Sequence, residues 1–74
     1  MIEQLTNLKI LVVDDTPSVR EALLITLDSL GFKRLSSAEN GEEALKLIAL
    51  ETQEPFELIF SDINIVSQSI KINF

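Results

Sequence analysis

Hydrophobic positions run without a break from Ile10 to Val13, directly after Lys9. Three of these four side chains are β-branched, and such residues are enriched in strands. A short run that is apolar on both faces is typical of a central strand buried between two layers. The pattern therefore predicts a central strand from Lys9 to Val13.

Two adjacent carboxylates, Asp14 and Asp15, follow this strand directly. Thr16 and Pro17 come next, and these residue types are suited to the cap and the first turn of a helix. The two acids are thus expected in a strand-to-helix turn, which is where parallel α/β sheets build functional sites. Because Thr16 can already cap the helix, we interpret the acid pair as a charged site.

From Ser18 the apolar positions recur at spacings of three and four, which predicts an amphipathic helix packed on the sheet. Gly31 is expected to end this helix, since a left-handed residue is easiest for glycine. The predicted buried stripe comprises Val19, Ala22, Leu23, Ile25, Leu27 and Leu30, with Arg20, Glu21 and Asp28 outside it.

The weakly apolar stretch from Phe32 to Ala38 predicts an edge strand. A turn at 39–41 follows, and Asn40 with Glu43 three positions later resembles a capping box. A second helix is predicted from Gly41 to about Leu50. Its expected buried side consists of Ala44, Leu45, Leu47, Ile48 and Ala49.

After a polar loop from Thr52 to Pro55, the segment Phe56 to Ser61 returns to a strand pattern and leads into Asp62. The order strand, helix, strand, helix, strand predicts an open parallel α/β sheet with right-handed crossovers and one helix on each face. The remaining residues, 63–74, break this order. Alternation of Ile70, Ile72 and Phe74 with polar residues in this tail suggests a further short strand.

Composition narrows the chemistry. The 74 residues allow one small domain, and the 46% hydrophobic content indicates a globular chain. The sequence contains neither cysteine nor histidine, so a bound metal should be a hard cation held by oxygen.

The net charge of the chain is −6, from twelve acidic and six basic residues, which argues against binding to nucleic acid or anionic membranes. With neither a signal peptide nor a membrane-spanning run, we expect a cytoplasmic protein.

Neighbouring parallel strands place their carboxyl ends at one edge of the sheet, so Asp14, Asp15 and Asp62 should share a pocket. Like charges this close repel one another and need a counter-ion. Mg²⁺ fits, because it prefers oxygen ligands and keeps positions free for water or phosphate. A carboxylate could attack a phosphate held there and form an acyl phosphate, and Asp62 is the favoured nucleophile.

In combination, these features resemble a bacterial response-regulator receiver domain, over residues 8 to 64. The similarity rests on LVVDD, the GF after the first helix, AENGEEAL at the second helix, and an Asp closing the third strand. The resemblance implies a flavodoxin-like (CheY-like) parallel sheet flanked by helices. It also implies phosphorylation of Asp62 by a sensor histidine kinase or phosphotransfer protein, with Mg²⁺ required. Asp15 would bind the metal directly, Asp14 would support it, and the main-chain carbonyl of Asn64 would be a further ligand.

The sequence departs from that family after Asn64, where Ile65, Val66 and Ser67 replace the usual Met-Pro and glycine turn. The serine or threonine and the lysine that the family supplies from its fourth and fifth strands have no matched positions. We therefore expect a receiver truncated to β-α-β-α-β, with residues 1–64 as its N-terminal part and 65–74 as a divergent tail. Its phosphoryl chemistry should be weak.

Two alternatives stay open. The first is a non-catalytic interaction or structural fragment that self-associates, as a homo-oligomer, through an exposed sheet edge. The second is a magnesium-dependent phosphohydrolase, ranked last because such enzymes need two carboxylates two positions apart, whereas Asp14 and Asp15 are adjacent. The favoured hypothesis is a phosphoacceptor module that is not itself an enzyme.

Overall fold

The computed structural model describes residues 5–61. Three strands and two helices alternate along them: β1 (Lys9–Val13), α1 (Pro17–Ser29), β2 (Arg34–Ala38), α2 (Gly41–Leu50) and β3 (Leu58–Ser61). Asp62, Asn64 and the predicted tail strand from Ile70 to Phe74 lie outside the described residues.

The sheet has the strand order β2-β1-β3, and both neighbours of β1 run parallel to it. The register pairs Val13, the last residue of β1, with Ala38 of β2 and Ser61 of β3. These three residues therefore lie at the same edge of the sheet. The predicted parallel α/β architecture and the central position of β1 are confirmed.

Each face of β1 is covered by one helix. Because side chains alternate between the two faces of a strand, neighbouring β1 residues contact different helices. Leu11 and Val13 pack with Ala44 of α2. Ile10 and Val12 pack with Leu27 of α1. The four apolar side chains of β1 are at most 2% exposed, so this strand is the centre of the core.

Helix α1 begins and ends where the sequence indicates. Thr16 occupies the N-cap position and Pro17 the first turn, but the Thr16 hydroxyl makes no capping hydrogen bond, contrary to expectation. Gly31 follows the C-cap residue with a φ of +104°. A Cβ at this glycine would lie 3.1 Å from Cγ2 of Thr6, so both the backbone conformation and the available space favour glycine.

The predicted buried stripe of α1 includes too many residues and is not centred on the side of the helix that faces the sheet. Leu27 is its one buried residue, Ile25 is 62% exposed, and Leu30 is 63% exposed. Leu23 and Leu24 pack against the Leu27 cluster, and Arg20, which was placed outside the stripe, is partly buried. Positions 20, 23, 24 and 27 share one side of a helix, and only that side meets the sheet. Val19 and Ala22 are exposed for the same reason.

The capping prediction for α2 is confirmed for the Asn40 side chain, whereas the Glu43 side chain bonds the N–H of the residue before the cap and not that of Asn40. Asn40 Oδ1 accepts a hydrogen bond from the Glu43 N–H at 2.7 Å, and the Glu43 carboxylate accepts one from the Glu39 N–H at 3.1 Å. The predicted buried side is right for Ala44 and partly right for Leu45 and Leu47. It is wrong for Ile48 and Ala49, which are exposed.

Strand β3 is shorter than the predicted segment from Phe56 to Ser61 and is not buried. Leu58, Ile59 and Phe60 are 39–47% exposed, since β3 has β1 on one side only within the described sheet. Strand β2 lies at the opposite edge, as predicted, although it begins at Arg34 rather than Phe32. Neither helix of the described residues has the length and apolar character that a bilayer crossing requires.

Candidate functional site

The acid pair lies at the carboxyl edge of the sheet, between the end of β1 and the start of α1. Because β1 is central, its C-terminal turn has the ends of β2 and β3 on either side. At this position Asp14 is buried and Asp15 is exposed. Such crevices outside the carboxyl ends of strands are the usual ligand sites of open α/β sheets.

Asp14 is the one buried charged or polar residue of the described chain, with 6% of its surface exposed. Its N–H donates to the Ala38 carbonyl at 3.1 Å, which extends the pairing of β1 with β2 by one residue. Its Oδ1 accepts from the Thr16 N–H at 2.8 Å, and its main-chain carbonyl accepts from Arg20 Nη1 at 2.8 Å. Asp14 is therefore fixed through backbone and side chain together.

Asp15 is held much more loosely. The residue is exposed, and its Oδ1 accepts only a long hydrogen bond, 3.4 Å, from the Thr16 hydroxyl. A carboxylate that is exposed at the end of a rigid strand can turn toward a ligand at little cost. The structure thus assigns different environments to the two acids, with Asp14 built into the fold and Asp15 open to solvent.

The local charge balance suits a cation. Within residues 5–61, no salt bridge involves Asp14 or Asp15, and the nearby Arg20 binds a main-chain oxygen rather than a carboxylate. Two adjacent uncompensated carboxylates repel each other, and their oxygens are the ligand type that Mg²⁺ prefers. The donor chemistry at this edge fits a magnesium ion.

A complete ligand set is not found in the described part of the chain. No group of three acidic, histidine or cysteine side chains close enough to hold a metal occurs among residues 5–61. Of the four predicted ligands, Asp14 and Asp15 are described, and the remaining two, Asp62 and Asn64, lie beyond Ser61.

Arg20 is a member of the site that the hydrophobic pattern missed. The sequence does contain a signal: a cation in the first turn of a helix is disfavoured by the helix dipole and so needs a local reason. Arg20 stands in that turn of α1, which contains no acidic residue. The carbonyl of Asp14 supplies the reason.

A second polar cluster lies at the opposite, amino edge of the sheet. Lys9 Nζ donates to the Glu51 carboxylate at 2.9 Å and to the Glu54 carbonyl, and lies 5.0 Å from the centre of the Phe56 ring. A shallow depression of about 560 Å³ beside it is lined by residues that include Arg34 and Pro55. These contacts connect β1 to the loop before β3, so their role is to hold the fold together.

Comparison with known proteins identifies the family. The family model of the response regulator receiver domain matches residues 10–69, most of the chain. The chain belongs to the response regulator receiver family. The match spans β1 to β3 and includes both acids of the pair.

Two curated relatives agree with this assignment. A probable chemotaxis protein CheY of Rhizobium etli is 40% identical over 58 residues, which is 78% of this chain and 43% of that protein. A sensory transduction protein LytR of Staphylococcus haemolyticus is 40% identical over 63 residues, 84% of this chain and 23% of that protein. The chain thus spans less than half the length of either relative. No solved structure matches it.

Proposed function

We propose that this receiver domain is the phosphoacceptor module of a two-component signalling system, with Asp62 as the residue that receives the phosphoryl group. The main support for this proposal is the register of β3, which pairs Ser61 with Val13 of β1. Asp14 follows Val13 and Asp62 follows Ser61 in the sequence. Consecutive α-carbons are about 3.8 Å apart, which supports the proposal that Asp62 acts beside the acid pair.

In the proposed reaction, a carboxylate oxygen of Asp62 attacks the phosphorus atom of a phosphohistidine. The new phosphorus–oxygen bond forms as the phosphorus–nitrogen bond breaks, and the imidazole leaves with its electron pair. Asp62 then carries an acyl phosphate. The rigid Asp14 supports the turn, and the exposed Asp15 faces the incoming group.

The oxygens of Asp14, Asp15, Asp62 and the Asn64 carbonyl are the proposed Mg²⁺ donors. A bound Mg²⁺ would offset the charge of the carboxylates and of the phosphoryl oxygens. The support for this assignment is the absence of any salt bridge to either acid of the pair within residues 5–61.

The proposed partners follow from the chemistry. A phosphoacceptor aspartate requires a phosphorylated donor, here a sensor histidine kinase or a phosphotransfer protein. The two relatives, a chemotaxis protein and a sensory transduction protein, support such a signalling role. The net charge of −6 supports a cytoplasmic module that contacts neither nucleic acid nor membrane directly. The exposed side chains of β3, Leu58 to Phe60, support a homo-oligomer that pairs along this edge.

Intact mass after treatment with a small phosphodonor tests the proposal. We expect the chain to gain one phosphoryl group slowly in the presence of Mg²⁺, and Asp62→Asn to gain none. Asp28→Asn is the matched control, because Asp28 is an exposed acid on α1 whose side chain pairs with Lys33 alone among the described residues. Modification of Asp62→Asn to the same extent as the unchanged chain would refute the assignment, and so would no modification of either.

Mg²⁺ titration by calorimetry tests the metal site separately. Asp15→Asn should lose most of the affinity, since it converts an exposed anionic ligand into a neutral amide, while Asp28→Asn should bind as the unchanged chain does. Equal affinity in Asp15→Asn and the unchanged chain would remove Asp15 from the site.

A further inference from the structure

We propose that Arg20 is a positioning residue for the acid pair, which holds the turn after β1 in its metal-binding geometry through the carbonyl of Asp14. The inference rests on the proposed function, because the geometry it protects is that of the magnesium site. Arg20 itself would touch neither the metal nor the phosphoryl group.

The hydrogen bond acts on a specific peptide unit. The Asp14 carbonyl that accepts from Arg20 Nη1, at 2.8 Å, belongs to the same planar peptide group as the N–H of Asp15. Fixing this oxygen therefore fixes the plane from which the Asp15 side chain leaves the backbone. Within residues 5–61, no hydrogen bond of comparable length acts on Asp15 itself, whose side chain has there only the 3.4 Å contact with Thr16.

The other contacts of Asp14 act on different atoms. Its N–H bond to Ala38 fixes the peptide group between Val13 and Asp14. Its Oδ1 bond to the Thr16 N–H closes a ring that includes the peptide between Asp14 and Asp15, but this bond does not contact the carbonyl oxygen of that peptide. Among the described residues, Arg20 is the side chain that binds this oxygen. A guanidinium is well suited to this role, because it is planar, always charged and can donate while its stem packs on the helix.

The arrangement also leaves the carboxylates available. Arg20 is partly buried on the side of α1 that faces the sheet, and within residues 5–61 it forms no salt bridge with Asp14 or Asp15. A cation that bound these carboxylates would compete with Mg²⁺ for the same oxygens. By donating to a main-chain oxygen, Arg20 supports the turn without occupying the ligands.

Two effects of removing Arg20 have opposite signs, which makes the inference testable. Loss of a positive charge near a cation site should by itself strengthen Mg²⁺ binding. Loss of the positioning bond should weaken it, by about tenfold, the low end of what removal of a supporting hydrogen bond costs a metal site. Weaker Mg²⁺ binding without Arg20 would therefore indicate a positioning role, whereas tighter binding would indicate only the loss of a repelling charge.

The experiment measures Mg²⁺ affinity by calorimetry and melting by circular dichroism for Arg20→Gln, Arg20→Lys and Arg34→Gln. We expect Arg20→Gln to bind Mg²⁺ more weakly, by at most about tenfold, since the lost charge offsets part of the lost positioning. Arg20→Lys should recover part of the affinity, because an ammonium group can also donate to the carbonyl. Arg34→Gln removes the same charge at the far edge of the sheet, where Arg34 pairs with Glu54, and should leave the Mg²⁺ affinity unchanged.

Unchanged or tighter binding in Arg20→Gln would overturn the inference, and so would an Arg20→Lys variant no better than Arg20→Gln. If Arg20→Gln melts too early for titration, sucrose restores the folded state and the comparison is made there for all variants. Asp15→Asn separates the two proposals. If Asp15→Asn binds Mg²⁺ as the unchanged chain does, the proposed metal site is wrong. If Asp15→Asn loses affinity but Arg20→Gln does not, the metal site stands and the positioning role of Arg20 is wrong.

Discussion

Replacing Asp14 by alanine or by asparagine separates the hydrogen bond of this side chain from its charge. Both substitutions remove one negative charge from the acid pair, so the change in repulsion with Asp15 is common to both. Only asparagine keeps an oxygen that can accept from the Thr16 N–H, a bond of 2.8 Å in the structure. The difference in unfolding free energy between the two variants therefore reports mainly this bond.

The expected difference follows from the burial of the site. Asp14 is 6% exposed, so alanine leaves a small void and a Thr16 N–H without its partner. A lost hydrogen bond of this kind costs about 1–2 kcal/mol, and we expect Asp14→Ala to be less stable than Asp14→Asn by about 1.5 kcal/mol. A chain this short unfolds with a shallow dependence on urea, so the midpoint should differ by about 1 M.

Urea unfolding followed by far-ultraviolet circular dichroism measures this difference, with the Asp28 pair as control. Asp28 is exposed on α1, where alanine is the better helix former, so Asp28→Ala should be slightly more stable than Asp28→Asn. The sign is thus opposite to that at Asp14. Equal midpoints for Asp14→Ala and Asp14→Asn would show that the bond to Thr16 does not stabilise the turn.

Two further outcomes are expected. Leu11→Ala should destabilise the domain by about 2–5 kcal/mol in the same urea assay, because Leu11 is a fully buried residue of β1 that packs against α2. Leu50→Ala, at an exposed position of α2, should change stability by less than about 0.5 kcal/mol, and similar losses in both would contradict the described core. Light scattering at high concentration should show a mass above that of the monomer, because β3 has a single neighbouring strand within the described sheet and its other edge can pair with a second chain. A strictly monomeric mass would count against this pairing.

The exposed outer surface of α1 illustrates where reasoning from the pattern fails. Val19, Ile25 and Leu30 have the same apolar character as Leu23 and Leu27, and a period of 3.6 residues does not say how wide the covered stripe is. The width depends on the neighbouring layer, which here is a sheet of three described strands. Partial burial of Arg20 follows from the same geometry, and no hydrophobicity pattern could indicate it.

By itself, the sequence determined the parts of this receiver domain that depend on local chemistry. A run of β-branched residues with no polar face specified β1 as the central strand, and two acids after it specified a charged turn. Asn40 and Glu43 specified the start of α2, because a capping box closes within four residues.

Only the tertiary structure decided what each surface meets. It buried Asp14 while leaving Asp15 exposed, although the two are identical and adjacent. It also brought Arg20 to the Asp14 carbonyl and left both faces of β3 partly open. The physical reason is that propensity and capping act between near neighbours in sequence, whereas burial and long-range hydrogen bonds depend on which elements the fold places side by side.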